Sequence, residues 1–189
     1  YFKNYKIKKI SRNENNIRIA VGSNDDYLDY DQVVLACHAN ESLALLEEPT
    51  TEEKSILSKF QYVTNTAFLH TDEQLMPVNK SAWSSWNSIS KKDLTNTCVT
   101  YWLNLLQNLN TNKNFFLTLN PILNIESEKI IKRVVFTHPH FNLENTKLQK
   151  RLKLLQGVRR TWFCGSYFGY GFHEDGLKSS LDMIDQFKI

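Results

Sequence analysis

The chain has 189 residues, of which 41% are hydrophobic and 12% aromatic, with only four prolines. This composition excludes a disordered or low-complexity segment, and the length suits one good hydrophobic core or pieces of two domains. The formal net charge of +3, with acids interspersed among the bases, gives no indication of a nucleic-acid partner.

The positions of the cysteines and the hydropathy of the sequence predict the cellular compartment of the protein. Cys37, Cys98 and Cys164 lie far apart in apolar or strand-like sequence, which predicts reduced, mostly buried thiols in a cytoplasmic protein. No apolar run approaches the roughly 18 residues of a membrane-spanning helix, so we expect no transmembrane segment. The sequence opens on strand-like residues without an initiator Met, which favours a larger protein of which this is a part.

The first 48 residues predict strands followed by one helix. Alternation of apolar and polar residues over 5–21 indicates two strands around the polar turn 12–16. The apolar run 33–35 is typical of a strand buried on both faces of a parallel sheet. Asn40 is the predicted cap of the helix that follows.

The middle of the chain is rich in strands. Thr50 and Glu53 form a capping box that predicts a helix. From about 62 to 119, segments rich in aromatic and β-branched residues predict a mostly antiparallel sheet. "RVVFTHPHF" is a further strand, and apolar residues at helical spacing then predict a helix from an Asn142 cap to Gly157.

The end of the chain returns to an alternation of strand and helix. "RRTWFCG" predicts a last strand, and a closing helix carries an apolar stripe of Leu177, Leu181, Ile184 and Phe187. The predicted fold class is α/β, with α+β character in the middle. Residues 1–48 and 157–189 form one domain with a parallel sheet, and residues 49–156 form a second domain.

Four of the six glycines fall in "FCGSYFGYGFHEDGL", between the last strand and the closing helix. Glycine lets backbone N–H groups approach a ligand closely, and a helix N-terminus offers further unpaired donors. The spacing fits neither a dinucleotide-binding turn nor a P-loop, so a tight structural turn stays the alternative. We expect the helix to begin near Asp175 and Gly176.

Several polar and aromatic residues are candidates for a site. His173 and Glu174 are either catalytic or a polar pair that caps the helix. Asn104 either orients a substrate or satisfies backbone groups at a strand end. The spacing of Cys37, His38, His138 and His140 is poor for a metal, and we expect no metal site. Aromatic side chains either line a substrate pocket or pack the sheet: Trp83, Trp86, Tyr101, Trp102, Tyr167 and Tyr170.

The segments "DQVVLACHANESLALL", "LHTDEQLMP", "TYWLNLLQNL", "LTLNP", "HPHF" and "RRTWFCGSYFGYGFHEDGL" carry a family resemblance. They resemble the C-terminal half of bacterial FAD-dependent oxidoreductases, predicted NAD/FAD-binding proteins related to the flavin-containing amine oxidases. The resemblance covers nearly the whole chain. It implies a missing N-terminal Rossmann half, FAD as cofactor and a small-molecule substrate. Residues 1–48 and 157–189 would then be a partial FAD-binding domain, and residues 49–156 the substrate-binding domain.

The resemblance also assigns roles to residues of the glycine segment. Gly165 and Ser166 would approach the ribityl and pyrophosphate portion of FAD. Asp175, Gly176 and Leu177 would place backbone N–H groups near the pyrimidine edge of the flavin, and Gly171 belongs to the same cofactor-binding turn. The residues that we expect to line a substrate pocket, chosen for their side chains and not by the resemblance, are Trp83, Tyr101, Trp102, Asn104 and Tyr170.

The chain departs from the family at three places. Ser166 stands where the amine oxidases commonly have Glu, Ser180 where they have Gly, and Asn65 and Thr66 where they carry a lysine at flavin N5. Amine oxidation is therefore in doubt, although hydride transfer from a substrate C–H to flavin N5 is the implied reaction.

Two alternatives to amine oxidation follow. One is a flavin-dependent desaturase or isomerase acting on an apolar or lipid-like substrate. The other is a non-catalytic interaction or scaffold domain that has kept the fold. We expect the isolated chain to be inactive and not to hold FAD tightly, and the surface left by the missing half predicts a homodimer.

Overall fold

A computed structural model describes residues 3–22, 26–90 and 97–187. The chain forms two compact units, Tyr1–Tyr62 with Pro139–Ile189, and Val63–His138. The α/β fold class is confirmed. The helices are α1 (Ala39–Leu45), α2 (Thr51–Leu57), α3 (Leu103–Leu106), α4 (Leu143–Leu148) and α5 (His173–Ile184). The strands are β1 (Ile7–Arg12), β2 (Ile17–Val21), β3 (Asp26–Tyr30), β4 (Val33–Leu35), β5 (Gln61–His70), β6 (Trp86–Ser90), β7 (Thr97–Trp102), β8 (Phe116–Leu119), β9 (Ile130–His140) and β10 (Thr161–Phe163).

The first unit contains two sheets. β1, β2 and β3 form an antiparallel sheet, which confirms the two predicted strands and adds a third. β4 and β10 form a parallel pair in which Val33 lies opposite Thr161 and Leu35 opposite Phe163. Val34 between them is 43% exposed, so the expectation that β4 is buried on both faces is wrong at this residue.

The core of the first unit explains where the unit ends along the chain. The predicted domains divide the chain after residue 48 and before 157, whereas the compact unit extends to residue 62 and resumes at 139. Residues 49–62 and 139–156 belong to this unit because their apolar side chains pack against both sheets. The fully buried members include Ile10, Ile17, Ala39, Ile56, Leu57, Leu152, Leu155 and Phe163.

Helix termini of the first unit agree only in part with the predictions. The capping box at Thr50 and the predicted cap at Asn142 are confirmed. Asn40, however, lies inside α1. The N-cap position is His38, whose backbone N–H donates to the Glu41 carboxylate (3.2 Å). The predicted helix up to Gly157 is α-helical only to Leu148 and continues as a 3₁₀ helix over Gln149–Leu155.

The second unit is built on a five-stranded sheet in the order β6-β7-β8-β5-β9. The pairs β6–β7, β7–β8 and β5–β8 are antiparallel, which confirms the predicted sheet type. A buried hydrogen-bonded chain crosses it, in which His70 Nε2 contacts Thr118 Oγ1 (2.8 Å) and Thr118 Oγ1 contacts Thr100 Oγ1 (2.8 Å).

Candidate active site

The parallel strands of the first unit end together at one edge. Since Phe163 pairs with Leu35, the residues that follow, Gly165 and Cys37, also come side by side. A Cβ placed on Gly165 would lie 3.7 Å from the carbonyl oxygen of Cys37. Ligands of open α/β sheets bind outside the carboxyl ends of the strands, and this edge is therefore our candidate site.

Gly165 begins the turn, in a conformation that side chains rarely adopt. Its φ is +150°, and an added Cβ would lie 2.9 Å from the ring of Tyr167. The N–H of Gly165 donates to the hydroxyl of Ser179 (2.9 Å), and that hydroxyl lies 2.7 Å from the carbonyl oxygen of Gly176, to which it can donate. The buried Ser179 thus fastens α5 to the end of β10.

The remainder of the glycine turn is held by two further side chains. Asp175 Oδ2 accepts the N–H groups of Tyr170 (3.0 Å) and Phe172 (2.9 Å). Gln149 Nε2 donates to the carbonyl oxygens of Tyr167 (3.2 Å) and Gly169. The carboxylate of Asp175 is therefore occupied in fixing the turn, whereas the group of this residue predicted to face the cofactor is its backbone N–H.

The N-terminus of α5 lies two residues earlier than predicted. The helix begins at His173, and the N–H groups of Asp175 and Gly176 donate to Phe172 O (3.1 and 3.3 Å). Phe172, at the cap position, has no side-chain oxygen to accept a bond. The donors that helix geometry leaves unpaired are those of His173 and Glu174.

The predicted site residues around this terminus differ in exposure. His173, Glu174 and Leu177 are exposed, whereas Ser166 is partly buried. Gly171 turns the chain with a φ of +92°, and a Cβ there would lie 3.0 Å from the ring of Phe141.

Burial raises the pKa of three side chains near this edge, Tyr62, Cys37 and Tyr167. The ring of Tyr62 stacks on His38 (4.3 Å between centroids), and its hydroxyl accepts the N–H of Ala39 (2.8 Å). Burial raises the pKa of Tyr62 to about 12 and also raises the pKa of Cys37. The fully buried Tyr167 hydroxyl forms no hydrogen bond of normal geometry within the described part of the chain, and burial raises its pKa well above 10.

The predicted pocket residues are divided between the two units. Trp83, Tyr101, Trp102 and Asn104 lie in the second unit and Tyr170 in the first. Trp83 packs edge-on against Trp102 (5.2 Å between ring centroids). Asn104 accepts the N–H of Phe115 (2.8 Å) and donates to the carbonyl of Lys113 (2.8 Å), so its amide satisfies backbone groups.

A cavity of about 350 Å³ in the second unit has another lining. It is formed by Phe68, Pro121, Leu123, Asn124, Ile125, Ser127 and Ile130. None of the four pocket residues predicted in this unit borders that cavity.

The position at which the family resemblance places a lysine carries a polar cluster. Asn65 Nδ2 lies 2.9 Å from His138 Nδ1, and Asn65 Oδ1 accepts from Asn120 (2.7 Å). The cluster joins β5 to β9 and to the turn after β8. Because these residues are far apart in the sequence and show no motif, only the fold brings them together.

Within residues 3–22, 26–90 and 97–187, no group of three or more His, Cys, Asp or Glu side chains is arranged to hold a metal ion. Over the same residues, no helix has the length and hydropathy to cross a bilayer.

Comparison with known proteins gives structural matches only. No protein-family model and no curated protein match the sequence. The fold is similar to that of a fatty acid isomerase from P. acnes that produces CLA, with a TM-score of 0.66 and 14% identity over 98% of this chain and 48% of the isomerase.

Two oxidases are also similar in fold. A putrescine oxidase variant with redesigned cofactor binding has a TM-score of 0.59 and 9% identity over 97% of this chain and 49% of the oxidase. Cyclohexylamine oxidase from Brevibacterium oxydans has a TM-score of 0.52 and 10% identity over 96% and 48%. The chain spans about half the length of these proteins, and the expected resemblance to flavin oxidoreductases is confirmed at the level of the fold.

Proposed function

We propose that the chain is the C-terminal portion of an FAD-dependent oxidoreductase resembling the amine oxidases. The observation that carries the proposal is the strand, glycine turn and uncapped helix at the carboxyl edge of the parallel strands. The same fold in oxidases of twice the length supports it.

The residues at this edge fit a flavin nucleotide. Gly165 brings the backbone close to a ligand without a side chain, and Ser166 follows it. The unpaired N–H groups of His173 and Glu174 suit an electron-rich or anionic group. Tyr62, Cys37 and Tyr167 are uncharged at neutral pH and form an apolar, neutral support. When bound, FAD supplies a hydride acceptor at N5 and is reoxidised by oxygen or another acceptor.

The protein residues would act by holding hydrogen-bond donors in fixed positions around the ligand. Ser179, Asp175 and Gln149 hold the turn rigid, so that its donors meet the ligand without reorganisation. Backbone donors near the pyrimidine edge would stabilise negative charge there. The exposed imidazole of His173, on the first residue of α5, is the candidate to move a proton or to contact the cofactor.

A flavin-dependent isomerase acting on an apolar or lipid-like substrate is the second candidate. The fatty acid isomerase, whose fold matches with a TM-score of 0.66, favours it. So does the Asn65–His138 pair, which stands where the resemblance places the lysine of the amine oxidases.

The test uses the complete protein that contains this chain. Purified protein is expected to carry FAD, and the isolated chain is expected to lose it on desalting. Anaerobic addition of amines and of polyunsaturated fatty acids then separates the two candidates, because oxidation leaves reduced flavin whereas isomerisation returns oxidised flavin with a shifted double bond. Absence of flavin from the complete protein would refute both and favour a scaffold.

A further inference from the structure

Three polar side chains of the second unit form a hydrogen-bonded series that starts at a backbone group. The N–H of Thr66 on β5 donates to Asn120 Oδ1 (2.9 Å), and Asn120 Nδ2 donates to Asn65 Oδ1 (2.7 Å). Asn65 Nδ2 then lies 2.9 Å from His138 Nδ1. We call the side chains of Asn120, Asn65 and His138 the amide relay.

The first member of the amide relay is held by the backbone of β5. Asn120 follows β8 with a left-handed φ of +49°, which asparagine tolerates better than most residues. Its own N–H donates to Thr66 O (2.9 Å), while its side chain accepts the Thr66 N–H. Asn120 therefore occupies both backbone groups of Thr66, and its amide cannot turn over without bringing two donors together.

The direction of every bond in the relay follows from this first donor. A backbone N–H can only donate, so the Asn120 atom beside it is the oxygen, and the amide nitrogen faces Asn65. Asn65 must then accept with its oxygen and donate with its nitrogen, which also lies 3.5 Å from Val63 O. His138 Nδ1 therefore accepts, and a neutral imidazole that accepts at Nδ1 carries its proton on Nε2.

The other ring nitrogen of His138, Nε2, is available to a ligand. His138 is exposed, and Nε2 has no hydrogen-bond partner among the described residues. Alternate residues of a strand share a face, so Phe136 lies beside His138 (6.2 Å between ring centroids) and Val63 lies on the face of Asn65. Phe136 and Val63 are 47% and 45% exposed. The donor thus stands next to uncovered apolar side chains.

The charges of β5 and β9 favour an anionic ligand over a cationic one. Neither strand contains Asp or Glu, and β9 contributes Lys132 and Arg133. Lys132 falls on the same face as His138 by alternation. A carboxylate would accept from Nε2 and be attracted by these cations. A protonated amine would bring one donor against another, and these strands have no carboxylate to hold it.

We infer that the amide relay makes His138 a hydrogen-bond donor to the carboxylate of an apolar substrate, and that it selects acids over amines. The Thr66 N–H sets the tautomer of His138 through two amides. Nε2–H then contacts the ligand oxygen, and the exposed apolar side chains beside it contact the ligand chain. The inference rests on the proposed function, in which the second unit binds the substrate, and it favours the isomerase over amine oxidation.

NMR of the complete protein labelled with ¹⁵N-histidine tests the tautomer, because ring nitrogens with and without a proton have well-separated resonances. The signals of His138 are those lost in His138→Gln. Above the pH range in which ordinary histidines titrate, Nε2 is expected to carry the proton. A proton on Nδ1 of the native protein overturns the inference.

Asn120→Asp reverses the relay at its first member. Aspartate accepts the Thr66 N–H but cannot donate to Asn65, so the Asn65 amide turns over and presents its oxygen to His138. Nδ1 is then expected to carry a proton, although the substituted residue does not touch the imidazole. Asn124→Asp adds the same charge to the same connection outside the relay and should leave the tautomer unchanged. The native tautomer in N120D contradicts the relay, and if N120D does not fold, Asn65→Asp makes the same comparison.

Decanoate and decylamine share an apolar chain and differ in the head group, so their binding to the complete protein, measured by calorimetry, tests the selectivity. Decanoate is expected to bind at least about tenfold more tightly, as one hydrogen bond to a charged group provides. This preference should be lost in His138→Ala and in N120D. It should persist in H138Q, whose amide can still donate, and in N124D. Equal affinities in the native protein, or a preference that persists in H138A, overturn the inference.

Flavin content separates this inference from the proposed function. Protein that carries FAD but has the proton on Nδ1, or binds decylamine as well as decanoate, removes the inference and leaves the flavoenzyme standing. The expected tautomer and decanoate preference in a preparation without flavin remove the function and leave the carboxylate site.

Discussion

Arg12 on β1 and Glu53 on α2 form an ion pair in which both side chains are buried. Nη1 lies 2.5 Å from Oε1 and Nη2 lies 2.9 Å from Oε2, with side-chain exposures of 1% and 0%. Burial alone would raise the pKa of Glu53, but the hydrogen bonds from Arg12 outweigh it and hold that pKa below its ordinary value. The pair joins the antiparallel sheet to α2.

Arg12→Met is expected to lower the free energy of unfolding by about 3–5 kcal/mol, because it leaves a buried carboxylate without its cation. Urea unfolding at neutral pH measures the loss. Lys9→Met is the matched control, since Lys9 pairs with Glu47 at the surface, and it should leave stability nearly unchanged. Similar losses in the two variants would contradict a special role for the buried pair.

Ser179→Ala is expected to destabilise the first unit by about 1–3 kcal/mol, because the Gly165 N–H loses its partner. Thermal unfolding checks this value. Ser180→Ala, one residue further along α5, removes only a bond to Gly176 O and should cost less. In the complete protein, S179A should also lose FAD more readily than S180A, and equal retention would argue against Ser179 as a support of the cofactor turn.

Gly169→Ala and Gly176→Ala should have opposite effects on stability. A Cβ on Gly169 would lie 2.2 Å from Asp175 Oδ1, so the carboxylate that holds the turn must move. A Cβ on Gly176 would meet only Ser166 N at 3.7 Å, and alanine inside a helix is better than glycine by roughly 0.5–1 kcal/mol. The melting temperatures of the two variants show whether each substitution stabilises or destabilises the protein. A lower melting temperature in G176A would contradict the free space found around Gly176.

His70 is expected to make the second unit sensitive to acid. Burial lowers its folded-state pKa below the ordinary 6.5. The unfolded chain therefore binds the proton first as the pH falls through about 6.5, and stability is lost from there downward, by at most about 1.4 kcal/mol per pH unit. The urea concentration at the midpoint of unfolding, measured from about pH 5 to about pH 8, is expected to decrease towards acid pH in the native protein. In His70→Gln it is expected to depend less on pH. His140→Gln, at an exposed residue, is the control that should keep the slope.

His173→Ala separates a catalytic role from a structural one. The side chain is exposed at the start of α5, so the melting temperature should change little. If His173 moves a proton or contacts the cofactor, the rate of flavin reduction in the complete protein should fall by at least about tenfold. Glu174→Gln at the next position tests the other half of the predicted pair. A rate of flavin reduction within a few-fold of the native value would leave His173 with a structural role only.

Periodic patterns in the sequence were sufficient for most elements of the fold. Alternation predicts β1 and β2, the capping box at Thr50 predicts α2, and the Asn142 cap with helical spacing predicts α4. The start of α5 was missed because Phe172 is not a capping residue type, and the carboxylate of Asp175 fastens the preceding turn instead. Val34 was expected to be buried since its neighbours are apolar, but pattern alone does not tell which side of a strand is covered.

The candidate site was found only in part. The density of glycines predicted a turn between β10 and α5, because a backbone that approaches another group closely requires glycine. Ser179 and Gln149 left none, since each is a single polar residue whose partners lie 14 to 20 positions away. The aromatic residues were ambiguous because the sequence does not tell whether Trp83 and Trp102 line a pocket or pack against each other. In the structure their rings pack edge-on.

Gln156 has a consequence for how this protein can assemble. With the outward N–H and C=O of Phe163 already paired to the Gln156 amide, the two-stranded sheet can be extended only past Val34. A sheet that grows from one side cannot propagate as an open chain of identical subunits, because the product of the first addition offers no second site of the same kind. One glutamine side chain thus limits this two-stranded sheet to growth on the β4 side.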